Sequence, residues 1–211
     1  MRKIIAVIAA VPLFALVAAA TDFPKMETFL GYNFVRFNPN SDFIPSFNAN
    51  GGGGQFVYNL NKWIGGVVDI GAVTKGTLNG FNIDSTVVNF VAGPRFTYHN
   101  HSRFTPYGQV LFGGAYATAS APIGLLGGAI LPPGLNLPGD GPISARVNAS
   151  NTGFAMFAGG GLDIKISKHM AFRPVGADYY LTRLPSLLTG NTTNRNNFRY
   201  SAGVNFLFGK Q

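Results

Sequence analysis

The 211-residue chain contains no cysteine. That excludes a disulfide scaffold and any thiolate metal site. Charge is scarce as well. Asp, Glu, Lys and Arg make up 11% of the residues, against about 25% in an average soluble domain. Long apolar runs are missing beyond the N-terminus. The other candidate, Ala121 to Leu137, is broken by Pro122, Pro132 and Pro133, and proline inside a helix removes a hydrogen bond and clashes with the preceding turn. No second helical span is therefore expected. What the chain does have is glycine and aromatics, with 28 Gly, 19 Phe and 8 Tyr in a sequence that is 46% hydrophobic. Such a composition is not that of a disordered chain. The length suits one domain or two small ones.

Residues 1–20 read as a targeting segment. Arg2 and Lys3 precede the apolar stretch Ile4 to Val17, and Ala18-Ala19-Ala20 has the small-x-small form that signal peptidase cuts. The stretch lies at the lower limit for a membrane anchor. The alanines and the polar Thr21-Asp22 after it favour cleavage, leaving residues 21–211 as the folding unit. Of 16 basic residues, removing Arg2 and Lys3 leaves 14 against 8 acidic ones, a net charge of +6. A basic excess can signal nucleic acid. The export signal and the absence of any basic cluster argue against that partner, and the scattered charges suit anionic lipid head groups instead.

Alternation of apolar and polar residues dominates the remainder. Phe198, Tyr200, Ala202, Val204, Phe206 and Phe208 alternate with Asn197, Arg199, Ser201, Gly203, Asn205 and Leu207. Eight strands are predicted: about 26–37, 53–59, 63–73, 86–98, 105–117, 152–166, 170–181 and 196–208. Short connections (59–62, 99–102, 167–169) alternate with long ones (38–52, 74–84, 118–151, 182–195). This is the pattern of an up-and-down transmembrane barrel with trimmed periplasmic turns and long external loops. Only helices and closed barrels satisfy every backbone group in lipid. The expected fold is therefore an all-β, eight-stranded antiparallel barrel behind a cleavable signal peptide. Ten strands, with part of 118–151 supplying two, is the minor alternative.

Orientation decides the compartment. A soluble lipocalin-like carrier would turn its apolar face inward around a ligand. Here the second face is rich in glycine, which suits the crowded interior of an eight-stranded barrel better than water. The large aromatics suit lipid, with Tyr98, Trp63, Phe206 and Phe208 forming one interfacial girdle and Tyr116, Tyr180, Phe198 and Tyr200 the other. Glu27, Asp69, Arg95 and Arg199 then point into the lumen, where unpaired ions would be costly, so a pairing network that plugs the barrel is expected. Arg173 and Asp178 are an odd distance apart and cannot both point inward from a regular strand. Pro174 between them predicts a bulge near 174–176, or an Asp178 lying above the membrane.

Catalytic and metal chemistry find little support. The histidines, His99, His101 and His169, fall in short turns and read as solvated. His99 and His101 could share a metal but lack a third ligand. Gly51 to Gly54 precedes a strand, not a helix, which is the wrong setting for a phosphate cradle. No catalytic residue, metal or cofactor is assigned. The apolar run in 118–151 could extend a hairpin, cap the barrel or touch a partner.

Several segments resemble the outer membrane protein A-type and X-type eight-stranded barrels of Gram-negative bacteria. They are Leu30-Gly31-Tyr32, Ala92-Gly93-Pro94-Arg95, the run Pro106 to Gly113, Gly159 to Asp163, and Asp178-Tyr179. In the last strand Ser201, Gly203, Phe206 and Phe208 resemble the signal read by the barrel assembly machinery. The family ends on that aromatic, whereas Gly209-Lys210-Gln211 follow here. The resemblance implies a monomeric envelope-integrity or surface-interaction protein of the outer membrane, surrounded by lipopolysaccharide and other outer-membrane lipids. An outer-membrane barrel enzyme acting on lipid A is the alternative from another class. The soluble carrier is the third.

Overall fold

The computed structural model describes residues 23–38, 46–76, 84–100, 102–126, 129–131, 143–185 and 192–209. The expected signal peptide, His101 and most of the long loops lie outside them. Among the described residues nine strands follow one another: β1 (Met26–Phe37), β2 (Phe47–Asn59), β3 (Ile64–Lys75), β4 (Asp84–Thr97), β5 (Phe104–Leu126), β6 (Ala129–Leu131), β7 (Ile143–Lys165), β8 (Met170–Pro185) and β9 (Thr192–Phe208). The eight long ones pair antiparallel with their neighbours. β1 meets β9 from Met26↔Phe208 to Arg36↔Phe198, which closes the cylinder. Closure leaves no wall edge unpaired, the condition that lipid imposes. No described helix is long and apolar enough to cross a membrane.

The strands cross the wall with strict alternation. β3 runs buried and exposed in turn along almost its whole length. Phe90 is 57% exposed and Phe206 37%, whereas Arg95 and Arg199 are 1% exposed. The greasy side chains thus look outward and the charged ones inward, an orientation that favours acyl chains and is unfavourable in water.

Short turns join the strands at one end and are pinned by side chains. Asn61 Oδ1 accepts hydrogen bonds from the amides of Trp63 (2.8 Å) and Ile64 (2.9 Å), and Asn100 Oδ1 accepts one from Ser102 (3.1 Å). Both strand termini of the barrel lie at this end, where the Lys25 amide donates to the Phe208 carbonyl at 2.8 Å.

Two features depart from the sequence expectations, and a third, the bulge, falls where Pro174 predicts it. First, β2 begins at Phe47, so Gly51 to Gly54 lie inside a strand. Glycine is a poor strand former, but β1 pairs with this stretch from Phe37↔Phe47 to Met26↔Tyr58 and holds it extended. Second, β5 and β7 continue well beyond 117 and 152. Their ladder runs on from Ser120↔Asn148 to Leu125↔Ile143, and β6 folds back onto Gly124–Leu126. The apolar run therefore extends a hairpin past the barrel and adds no ninth wall strand. Third, the bulge falls in β8. Arg173 pairs with Gly203 and Gly176 with Ser201, so three steps on β8 face two on β9. One extra residue flips the parity. Arg173 and Asp178 both point inward.

The same flip corrects the girdle. Tyr180 is buried inside the barrel, while its neighbour Tyr179 faces out. At the turn end Trp63 and Tyr98 pack with ring centroids 5.1 Å apart, and the Lys62 ammonium lies 5.7 Å from the Trp63 ring. At the loop end Tyr32 donates to Asn50 Oδ1 (2.5 Å) and Tyr179 to Asn196 Oδ1 (2.6 Å). Outward aromatics with polar partners at both ends mark the two interfaces.

The absence of native cysteine makes the orientation directly testable. A cysteine at Ser150, exposed on the loop side, should react with an impermeant maleimide on intact cells. One at Ser167, in the β7–β8 turn, should react only after the outer membrane is permeabilised. The reverse labelling pattern would invert the assignment.

Candidate functional site

The interior is the most elaborated chemical feature of the described structure. Seven charged side chains are buried there: Glu27, Asp69, Asp163 and Asp178, against Arg95, Arg173 and Arg199. Alternation sends each of them inward, with the β8 bulge restoring the parity between Arg173 and Asp178.

Arg199 on β9 holds two carboxylates. Its Nη1 lies 2.9 Å from Asp69 Oδ2, while Nε and Nη2 donate to Asp178 Oδ2 at 3.0 and 2.8 Å. Arg173 grips Asp163 bidentately, with Nε to Oδ1 at 2.6 Å and Nη2 to Oδ2 at 3.0 Å. Such planar, paired hydrogen bonds are the strong kind. Arg95 touches no carboxylate among the described residues. Its Nη2 donates to Gln55 Oε1 (2.5 Å) and Gln109 Oε1 (2.6 Å). Those amides in turn donate to Asp69 (2.8 Å) and Asp178 (3.1 Å). Two glutamines thus pass the charge of Arg95 on to the acids that Arg199 also holds. Arg173 joins the same relay through Nη1 to Gln55 Oε1 at 2.7 Å.

The guanidiniums also lie over rings. Arg95 and Arg173 sit 4.2 and 4.3 Å from the Tyr107 centroid, Arg173 lies 4.2 Å from Phe29, and Arg199 lies 3.9 Å from Phe157. Ring faces are good partners for desolvated guanidinium.

Glu27 stands apart from the arginines, at the turn end. It accepts from Asn59 (2.7 Å) and Asn205 (2.7 Å), and His99 Nε2 lies 3.3 Å away. The His99 Nδ1 faces the Lys62 carbonyl at 3.0 Å. The His99 side chain is 6% exposed, so this histidine belongs to the mouth of the lumen and not to a solvated turn. The physical reason is the buried carboxylate beneath it, which offers a partner that water would otherwise supply.

The interior also holds apolar groups. Val35, Phe37, Ala49, Ala115, Phe157 and Tyr180 belong to one buried cluster. Phe157 and Tyr180 pack edge to face at 4.4 Å, and Phe37 stacks on Phe47 at 5.2 Å. The same cluster takes in Val57 and Val67 beside the β2–β3 turn, while Asn197 and Thr182 are buried and hydrogen-bonded on the loop side, so polar and apolar groups share the lumen along its length, with Arg199 on Phe157 as one junction.

Of the four lumen charges read from sequence, the structure joins Asp69 and Arg199 directly, links Arg95 to them through glutamine, and ties Glu27 through the Asn205 amide to Asp163, the partner of Arg173. Asp163, Gln55, Gln109 and Tyr107 are further members of the network, beyond the four charges assigned from sequence. Strand parity was the available signal for all four, and the β8 bulge supplied it for Arg173 and Asp178. Among the described residues no cluster of histidine and carboxylates is arranged to hold a metal. Gly203, Phe206 and Phe208 lie in β9 against β1, with both phenylalanines facing outward.

Comparison with known proteins gives the same architecture. The crystal structure of Ail, the attachment invasion locus protein of Yersinia pestis, covers 88% of this chain and 99% of its own, with a TM-score of 0.57 at 16% identity. Neisserial surface protein A (NspA) covers 87% of this chain and 97% of its own, with a TM-score of 0.54 at 13% identity. At these identities the likeness is one of fold. No curated protein matches the chain in sequence. The profile of the outer membrane protein beta-barrel domain matches residues 5–206. A closed eight-stranded wall, greasy outside and ion-paired within, matched by that profile over nearly all its length, shows that the chain belongs to the outer membrane protein beta-barrel family and resides in the outer membrane.

Proposed function

We propose that this barrel is a sealed, non-enzymatic scaffold that anchors its loop side at the cell surface for envelope integrity or surface interaction. The observation that carries this reading is the closed interior. An ion-paired network, threaded by Gln55 and Gln109, is packed against an apolar cluster that includes Phe37, Phe157 and Tyr180. Eight strands leave room for side chains and little else. The elaboration is one-sided, with short pinned turns at one end and the β5–β7 hairpin rising at the other. That asymmetry suits a molecule whose contacts lie on one side of the membrane.

The same features weigh against lipid A chemistry. His99 is occupied by Glu27 and the Lys62 carbonyl at the turn end, opposite to the leaflet that holds lipid A. In this reading the outer-membrane lipids and lipopolysaccharide are the barrel's surroundings, and the protein is a monomer with no nucleic-acid partner. Glu27, Asp69, Arg95 and Arg199 serve as plug residues. Gly203, Phe206 and Phe208 address the assembly machinery.

In planar bilayers the purified barrel is expected to give no discrete conductance steps. Lipid A mass spectra are expected to be identical with and without its expression. Sustained single-channel currents would overturn the sealed reading, and a new acylation state of lipid A would overturn the non-enzymatic one.

A further inference from the structure

The turn end of the outer wall carries a groove that the lumen network does not use. It lies on β4 and β5 beside the start of β3. Trp63, Phe96, Tyr98 and Pro106 wall a space of about 260 Å³ over Gly108. Phe96 pairs with Gly108, and Gly108 with Gly160 on β7. Two residues without side chains thus stand in one row beside a phenylalanine that is 61% exposed, and the surface drops there.

Wall closure does not require the glycine at this position. Glycine inside a strand commonly marks a bulge, a close backbone approach or a bound ligand. The β5–β7 ladder runs through Gly108 without a register shift. A Cβ at position 108 would meet only the Gly159 carbonyl oxygen, at 3.7 Å, an ordinary contact. Gly93 and Gly113 differ, because a Cβ at either would strike the backbone of the facing strand. What a side chain at 108 would fill is the groove.

The groove ends at a basic rim. Lys62 precedes Trp63, and its ammonium lies 5.7 Å from the Trp63 ring. Arg103 sits in the β4–β5 turn, and both residues are exposed. Lys25, Lys165 and Lys168 stand at the same end, where the acids Glu27 and Asp163 are buried in the lumen. Among the described residues no exposed carboxylate accompanies these five cations. Interfacial tryptophan and tyrosine sit at head-group level. The cations therefore lie among head-group phosphates, and the groove lies beside the acyl chains just beneath them. Its volume falls below the about 300–1,000 Å³ of whole small-molecule sites, so it takes one segment of a flexible ligand.

We propose that this groove seats an acyl chain of an anionic phospholipid of the periplasmic leaflet, with its phosphate at the level of Lys62 and Arg103. A zwitterionic phospholipid offers the same chain and phosphate but brings an ammonium of its own, which the basic rim repels. The scaffold thereby gains one preferred lipid, at the end opposite to its long loops. The assignment to the periplasmic leaflet rests on the orientation that the Ser150 and Ser167 cysteine labels test. The lipid preference is tested apart from it, in vesicles with the same lipids in both leaflets.

Trp63 is the single tryptophan, so its fluorescence reports on the groove alone. The barrel is reconstituted into phosphatidylcholine vesicles containing an equal fraction of one brominated lipid, either phosphatidylglycerol or phosphatidylcholine, with the bromines near the head-group end of the chains. Brominated phosphatidylglycerol should quench Trp63 more strongly than brominated phosphatidylcholine, and added salt should narrow the difference. Lys62→Gln/Arg103→Gln should abolish it, since each basic side chain near an anionic surface is worth about fivefold in partition. Gly108→Leu, which fills the groove, should lower the quenching by phosphatidylglycerol. Gly114→Leu should leave it unchanged. That position lies on the same strand toward the loop end, where a Cβ would meet only the Gly153 carbonyl oxygen, at 3.6 Å. Unchanged heat-modifiable gel mobility shows that each variant barrel is intact. Equal quenching by the two lipids in the wild type would overturn the proposal. So would an undiminished preference in the double glutamine variant, or wild-type quenching in Gly108→Leu.

Discussion

Replacing Arg199 by alanine is expected to cost the barrel about 3–5 kcal/mol, the usual loss when one partner of a buried ion pair is removed. Arg199 reaches Asp69 and Asp178 together, so its loss leaves two buried carboxylates facing each other with no guanidinium between them. Asp69 would keep its bonds from Gln55 and Asn89, and Asp178 its bond from Gln109, but neutral amides do not cancel charge. The Phe157 ring would lose its cation as well. Against a total stability of about 5–15 kcal/mol, that is enough to lower the urea midpoint of the refolded barrel sharply. Arg95→Met should cost less, because Arg95 bonds to glutamine oxygens and not to acids. Adding Asp69→Asn and Asp178→Asn to the Arg199 variant should recover part of the loss, since what destabilises is the uncompensated charge. An Arg199→Ala barrel as resistant to urea as the wild type would refute the network as a stabilising element.

Gly203→Val should prevent closure altogether. Gly203 faces Gly31 across the β1–β9 seam. A Cβ at position 203 would lie 2.5 Å from the Gly31 Cα and against the Leu30 carbonyl oxygen. Both obstacles are backbone, which cannot swing aside as a side chain can. The seam must part, and a barrel with a parted seam exposes unpaired amides to lipid. The expected cost exceeds the roughly 1–3 kcal/mol of ordinary overpacking. Refolding into detergent micelles, read as the appearance of the heat-modifiable band, should fail without any cellular factor present. Phe206→Leu separates the two roles proposed for this strand. Its side chain faces outward, so refolding in vitro should proceed normally while assembly in cells slows. Normal refolding of Gly203→Val would show that the seam tolerates a side chain and that close backbone approach is not what requires glycine there.

The features legible in the sequence were those that repeat locally. β1 runs over Met26–Phe37, as alternation predicts, the last strand differs from expectation only at its loop-side end, and β4 starts two residues earlier and stops one residue earlier than expected. The extensions of β5 and β7 were not legible. Prolines, glycines and alanines there carry weak strand preference, and the two stretches hold each other by pairing from Ser120↔Asn148 to Leu125↔Ile143. His99 and Tyr180 were misplaced for related reasons. One is drawn in by a carboxylate from another strand. The other is turned in by an extra residue several positions earlier.

Period-two alternation, the long and short connections, and the shortage of charge sufficed by themselves to establish a membrane barrel and, wherever a strand is regular, to tell which side chains face its axis, because strand parity needs no knowledge of neighbours. Which inward groups meet was decided by the closed cylinder alone. Arg199 reaches Asp69 across 130 positions of sequence and Arg173 reaches Gln55 across 118, contacts that exist only once the β1–β9 seam has brought the ends of the chain together.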